Sequence, residues 1–96
     1  MTGIEVRWTT EAEITFDQIV SYILEHWGEN ARQKFISHTE EVLSVLITQP
    51  EMYGRAGIGN VRRAVITKQT SLFYDLQNNF IVLLYFWDNR QDPLFT

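Results

Sequence analysis

The sequence predicts an α+β fold, a two-helix hairpin packed on one face of a small antiparallel sheet in the order β-α-α-β-β-β. Three observations carry this. A short stretch near the start alternates apolar and polar residues with period two. Two consecutive segments place apolar residues at helical spacing. Three apolar runs then follow, separated by short polar connections. Two amphipathic helices need an apolar surface to cover their stripes, and a sheet face supplies it.

The first strand is "GIEVRW", with Ile4, Val6 and Trp8 on one side and Glu5 and Arg7 on the other. In "TTEAE", Thr10 followed by Glu13 fits a capping box, in which side chains satisfy the orphan amides of a helix start. Phe16, Ile19, Val20, Ile23, Leu24 and Trp27 then form one apolar stripe, and Gly28 ends the helix. In the second helix Ala31, Phe35, Val42, Leu43 and Leu46 mark the buried face, with Thr39 filling a gap, and Pro50 stops it. The short break at Gly28 folds the helices back on each other. "EMYGRAGIGN", residues 51–60, reads as a loop. The runs "VRRAVI", "SLFYDL" and "FIVLLYFW" complete the sheet, joined by "TKQT" and "QNN" as hairpins. The last run is apolar at almost every position, the pattern of a central strand covered on both faces.

The chain has 96 residues, a length expected for one domain with a modest core. It contains no cysteine, which excludes disulfides and Cys-based metal sites. No signal-peptide pattern opens it and no apolar run is long enough to span a bilayer, so a cytoplasmic protein without a membrane partner is expected. A net charge of −4 argues against generic nucleic-acid binding by bulk charge. The charge is unevenly spread. Residues 1–51 hold nine acidic and three basic side chains, and residues 52–96 hold three acidic and five basic. A basic surface on an acidic protein is therefore open.

Neither His26 nor His38 sits in a metal-binding spacing, and both read as surface residues of the helices. The glycines of "GRAGIGN" precede a strand, whereas a phosphate cradle needs helix amides behind it. No cofactor is implied. Arg62 and Arg63 interrupt an apolar strand and alternate to opposite faces. Lys68, Arg55 and Arg90 come from the same half of the chain, and guanidinium groups fixed on strands suit carboxylate or phosphate recognition. The ordinary alternative is solubility charges. Tyr74 shares a strand face with Leu72 and Leu76 and reads as core. "WDNRQDP" is the least ordinary stretch, because Asp88 or Asp92 is placed to orient Arg90 just beyond a rigid strand. A structural knot anchoring the C-terminus is the equal alternative.

Taken together, "FDQIVSYILEHWGENARQKF", "VLSVLITQPEMYG", "VRRAVITKQTSLFYDL" and "IVLLYFWDNRQDP" resemble the RelE/ParE superfamily of bacterial type II toxins, from Trp8 to Pro93. The resemblance implies a small toxin neutralised by a cognate antitoxin protein. Its target would be DNA gyrase, as for ParE-like members, or messenger RNA on the ribosome, as for RelE-like members. Loss of toxicity with retention of antitoxin binding is a third possibility. Arg62 or Arg63 matches the family's arginine early in the second strand after the helices, and Arg90 its late arginine. Where many members carry a histidine near the end of the last strand, this chain reads Trp87-Asp88-Asn89. Tyr74 is left as the one candidate base. The acidic composition and the missing histidine place the chain nearer ParE than RelE. Arg90, Arg62, Arg63, Lys68, Tyr74 and Asp88 are thus the candidate site residues.

Overall fold

The computed structural model describes residues 4–56 and 59–88. The elements follow the expected order: β1 (Glu5–Trp8), α1 (Thr10–Trp27), α2 (Glu29–Thr48), β2 (Val61–Val65), β3 (Thr70–Leu76) and β4 (Phe80–Asp88). Arg90, with Asn89, Gln91, Asp92 and Pro93, lies outside the described residues.

The four strands form one sheet in the order β1-β4-β3-β2. The pairs β2–β3 and β3–β4 are antiparallel as expected, but β1 lies parallel to β4, with Glu5 opposite Phe80 and Trp8 opposite Leu83. The helical hairpin explains the parallel pair. It returns the chain to the end of the sheet where β1 began, so that Ile4 and Asn60 border the same pocket. From there β2 sets off in the direction of β1, and two hairpin reversals give β4 that same direction.

Gly28 makes the sharp junction between the helices. Its φ of +94° is a backbone conformation that glycine adopts without steric cost, and its N–H caps α1 by donating to the Ile23 and Leu24 carbonyls. At the other end of α1 the cap is Thr9, one residue earlier than the capping box expected at Thr10 and Glu13. Thr9 has an extended backbone, and its Oγ1 accepts the Ala12 N–H at 3.0 Å. The same hydroxyl donates to the Leu83 carbonyl at 2.7 Å. Thr15 repeats this role: its hydroxyl donates to the Glu11 carbonyl and accepts the Phe86 N–H at 2.8 Å. β1 stops at Trp8, opposite Leu83, and among the described residues no strand neighbours the rest of that edge of β4. Thr9, the cap of α1, and Thr15 within it satisfy backbone groups there instead.

Ala12, Ile19 and Ile23 of α1, with Phe35, Val42 and Leu46 of α2, pack onto Ala64, Ile66, Leu72, Ile81, Leu83 and Phe86 of the sheet layer. Phe16 joins the layers, with its ring 5.4 Å from Trp8 in β1, 5.1 Å from Phe86 in β4 and 5.8 Å from Phe35 in α2. Thr39 is buried in the α2 stripe and is satisfied by donating to the Phe35 carbonyl at 2.9 Å. The α1 stripe is narrower than expected. Leu24 is 44% exposed and Trp27 66%, because Ile23 takes the inward position in that turn. On the far side of the sheet Phe73 stacks on Tyr85, and the Arg7 guanidinium lies 4.0 Å from the centre of the Phe80 ring. Among the described residues no helix is long and apolar enough to cross a membrane.

Candidate functional site

The exposed end of the α1 stripe borders a groove of about 580 Å³ at the elbow of the helical hairpin. Ile23 and Trp27 supply its α1 wall, Ala31 and Phe35 its α2 wall, and Ile66 its floor. Thr67, Gln69 and Thr70 of the β2–β3 turn close the opposite side. Lys34 and His38 stand on the α2 side of the opening, and Lys68 belongs to the facing turn. His38 also lies 3.6 Å from Glu41, one helical turn on. An apolar trough with Lys34 at its lip suits an amphipathic segment with an acidic flank. Sequence reasoning missed this site because Leu24 and Trp27 count as stripe residues whether or not a partner element covers them. The detectable signal was the length of the α1 stripe, which runs to the last residue before the Gly28 bend, where an elbow leaves the underlying sheet.

The described candidates Arg62, Arg63, Lys68, Tyr74 and Asp88 do not assemble into one cluster. Arg62 and Arg63 do alternate to opposite faces. Arg62 shares the helix side of β2 with the buried Ala64 and Ile66, and its Nη1 donates to the Tyr53 carbonyl at 2.6 Å. The Arg62 Nε is buried without a hydrogen-bond partner. Arg63 lies on the other face, where its Nε donates to the Ser71 hydroxyl at 2.9 Å. Tyr74 stands opposite Arg62 in the β2–β3 register and is fully buried. Its hydroxyl donates to the Pro50 carbonyl at 2.9 Å. Burial raises the Tyr74 pKa above the usual tyrosine value, the Arg62 charge opposes that rise, and nearby Tyr53 adds to it. A buried phenol held protonated and already donating is a latch between sheet and loop; it is poorly placed to accept a proton at neutral pH. Lys68 is exposed in the β2–β3 turn. Asp88, 3% exposed, ends β4 opposite Thr70, close to that turn in register.

Among the described residues no group of three or more His, Asp or Glu side chains is arranged to hold a metal ion.

The architecture is shared by several solved toxins. The chain matches a chain of the chromosomal ParDE TA system from P. aeruginosa with a TM-score of 0.74 and 18% identity, over 88% of this chain and 95% of that one. The toxin–antitoxin complex DinJ–YafQ from E. coli contains a similar chain, with a TM-score of 0.63, 7% identity, and coverage of 91% of this chain and 93% of that one. YoeB from Staphylococcus aureus, solved as a dimer, matches with a TM-score of 0.59 and 12% identity, covering 85% and 92%. At such identities the likeness is one of fold. No curated protein matches the sequence. The sequence itself decides the family, since the profile described as "ParE toxin of type II toxin-antitoxin system, parDE" matches residues 6–93, from within β1 to past the end of β4. The chain belongs to the ParE toxin family.

Proposed function

We propose that this chain acts in the cytoplasm as the toxin of a type II pair, poisons a protein target such as DNA gyrase, and is neutralised by a cognate antitoxin seated in the elbow groove. The groove is the observation that carries the antitoxin reading. It is apolar at its floor and lysine-flanked at its opening, and it fits the acidic, amphipathic helix of a small partner. DinJ–YafQ, a toxin–antitoxin complex, contains a chain of the same fold, which supports a partner of this kind here.

The choice of a protein target over RNA cleavage rests on the candidate residues. Attack by a ribose 2′-hydroxyl needs a base and cations facing one phosphate. Here Arg62 and Arg63 point to opposite faces and the Tyr74 hydroxyl is committed to Pro50. Such an arrangement favours binding over hydrolysis. Arg63 on the open sheet face and Arg90 after β4 are the target contacts we assign, with Lys68 and Asp88 beside the antitoxin groove.

Induction in a bacterial host lacking the antitoxin tests this reading, with the DNA-damage response and messenger-RNA integrity followed separately. A damage response with intact transcripts is expected. Transcript cleavage at early times, without a damage response, would overturn the assignment in favour of a ribosome-dependent ribonuclease. Growth unchanged at full expression would instead leave antitoxin binding as the function.

A further inference from the structure

A second pocket lies at the opposite end of the helix layer, where the chain leaves α2 and enters β2. It encloses about 330 Å³ between Ile4, Pro50, Leu76 and the polar side chains of Arg55, Asn60 and Arg62, with Glu51, Gln77 and Asn78 also at its border. Its character is the reverse of the elbow groove, with mostly polar lining. Arg55 and Arg62 are brought together by an isolated antiparallel bridge between their backbones. Arg63 N–H to Gly54 carbonyl and Ala56 N–H to Val61 carbonyl hold the two segments on either side of that bridge. Neither guanidinium pairs with a carboxylate among the described residues. The Arg62 Nε is moreover buried with its hydrogen unused. A buried donor without a partner is unfavourable, and two unneutralised cations on adjacent segments repel each other. An anion seated between them would neutralise both.

We propose that this pocket binds a phosphate-class oxyanion, as free phosphate or as the 5′-phosphate of a nucleotide, between Arg55 and Arg62. The donor inventory selects phosphate over carboxylate. The Arg55 fork, the Arg62 donors left once Nη1 is held by the Tyr53 carbonyl, and the carboxamides of Asn60 and Asn78 offer more donors than a two-oxygen carboxylate arranges in its plane, whereas a phosphate presents three terminal oxygens in three directions. The Gln77 carboxamide is already donating to Asp75 at 2.8 Å and is not counted. Glu51 is the opposing charge at the border, and it sets a sign: removing it strengthens binding. Bound anion would tie Arg55, in the segment after α2, to Arg62 in the sheet. The site shares no lining residue with the antitoxin groove.

The test is calorimetric titration and thermal melting of the full chain with sodium phosphate and with adenosine 5′-monophosphate, against chloride and acetate at matched ionic strength. A melting temperature that rises with phosphate concentration, and not with chloride or acetate, is expected. Tighter binding of the nucleotide than of free phosphate assigns the nucleotide as ligand, and equal binding assigns free phosphate. Arg55 is exposed, so Arg55→Ala keeps the fold and should weaken phosphate binding about tenfold or more. Glu51→Gln should tighten it. Equal melting in phosphate and chloride, an equal response to acetate, or an Arg55→Ala chain that binds like the parent each overturns the proposal.

Discussion

Replacing Tyr74 by phenylalanine separates a structural latch from a catalytic group with almost no change of shape. The ring keeps its buried place opposite Arg62, and only the hydrogen bond to the Pro50 carbonyl, 2.9 Å long, is lost. A neutral intramolecular hydrogen bond contributes about 0.5–1.5 kcal/mol net. In a domain of this size each kcal/mol shifts the melting temperature by about 4–8 °C, so Tyr74→Phe should melt roughly 2–12 °C below the parent at pH 7. The difference has a pH signature. Because the folded-state pKa of Tyr74 is raised above the ordinary value of 10.0, the protonated phenol is favoured in the native state. That contribution is fully present below the unfolded pKa and is lost as the pH rises through the folded one. The parent should therefore lose stability at strongly alkaline pH while Tyr74→Phe, with nothing to ionise there, falls less, and the gap between them narrows. Differential scanning calorimetry from pH 7 to pH 11 reads both effects. Growth inhibition on induction, at a temperature where both chains are folded, should be equal. An inactive but equally stable Tyr74→Phe chain would refute the latch and restore Tyr74 as a chemical group.

Ile19→Asp buries a charge at a position 2% exposed and should cost several kcal/mol, whereas Leu24→Asp, at 44% exposure, should cost less than about 1 kcal/mol; comparable melting of the two would show the α1 phase to be wrong. Thr15→Val removes the acceptor of the Phe86 N–H, so stability should fall by about 1–3 kcal/mol and the Phe86 amide should exchange faster with deuterium; unchanged exchange would mean that the edge of β4 does not depend on α1. Trp27→Ala should leave melting nearly unchanged, since the ring is 66% exposed, yet weaken antitoxin binding by about 2 kcal/mol, roughly 30-fold; full affinity in a titration with purified antitoxin would remove the elbow groove from the interface. Arg90→Ala should reduce growth inhibition on induction while melting hardly moves, the outcome expected of a target contact; loss of toxicity that tracks loss of stability would make Arg90 a C-terminal anchor instead.

Local chemistry written into neighbouring residues was legible in advance. Period two in Ile4–Trp8, the α2 stripe from Phe35 to Leu46, and the Gly28 junction all reappear in the structure, since each depends on spacing along the chain. The direction of β1 was not legible, because a parallel and an antiparallel neighbour bury the same alternating side chains; only the exit point of the helical hairpin distinguishes them. The cap at Thr9 in place of Thr10 was hidden for a related reason. Two adjacent threonines are equivalent in sequence, and the choice falls on the one whose hydroxyl also reaches the Leu83 carbonyl, 74 positions away. The burial of Tyr74 was legible from its strand phase, but its partner in the Pro50 carbonyl was not. The elbow groove emerges only where three separate segments meet.

β4, an inner strand of this sheet, is the last of the described strands in chain order. β4 pairs with both β1 and β3, and its Leu83 and Phe86 backbone groups are taken up by Thr9 and Thr15 of α1. A nascent chain that has reached only residue 79 therefore has two helices, an unpaired β1 and a lone β2–β3 hairpin, too little to be stable by itself. Assembly must wait for β1 to meet β4, a long-range closure of the kind that slows folding. A product terminated before Phe80 lacks the strand that joins β1 to β3, so interrupted translation yields no native fold.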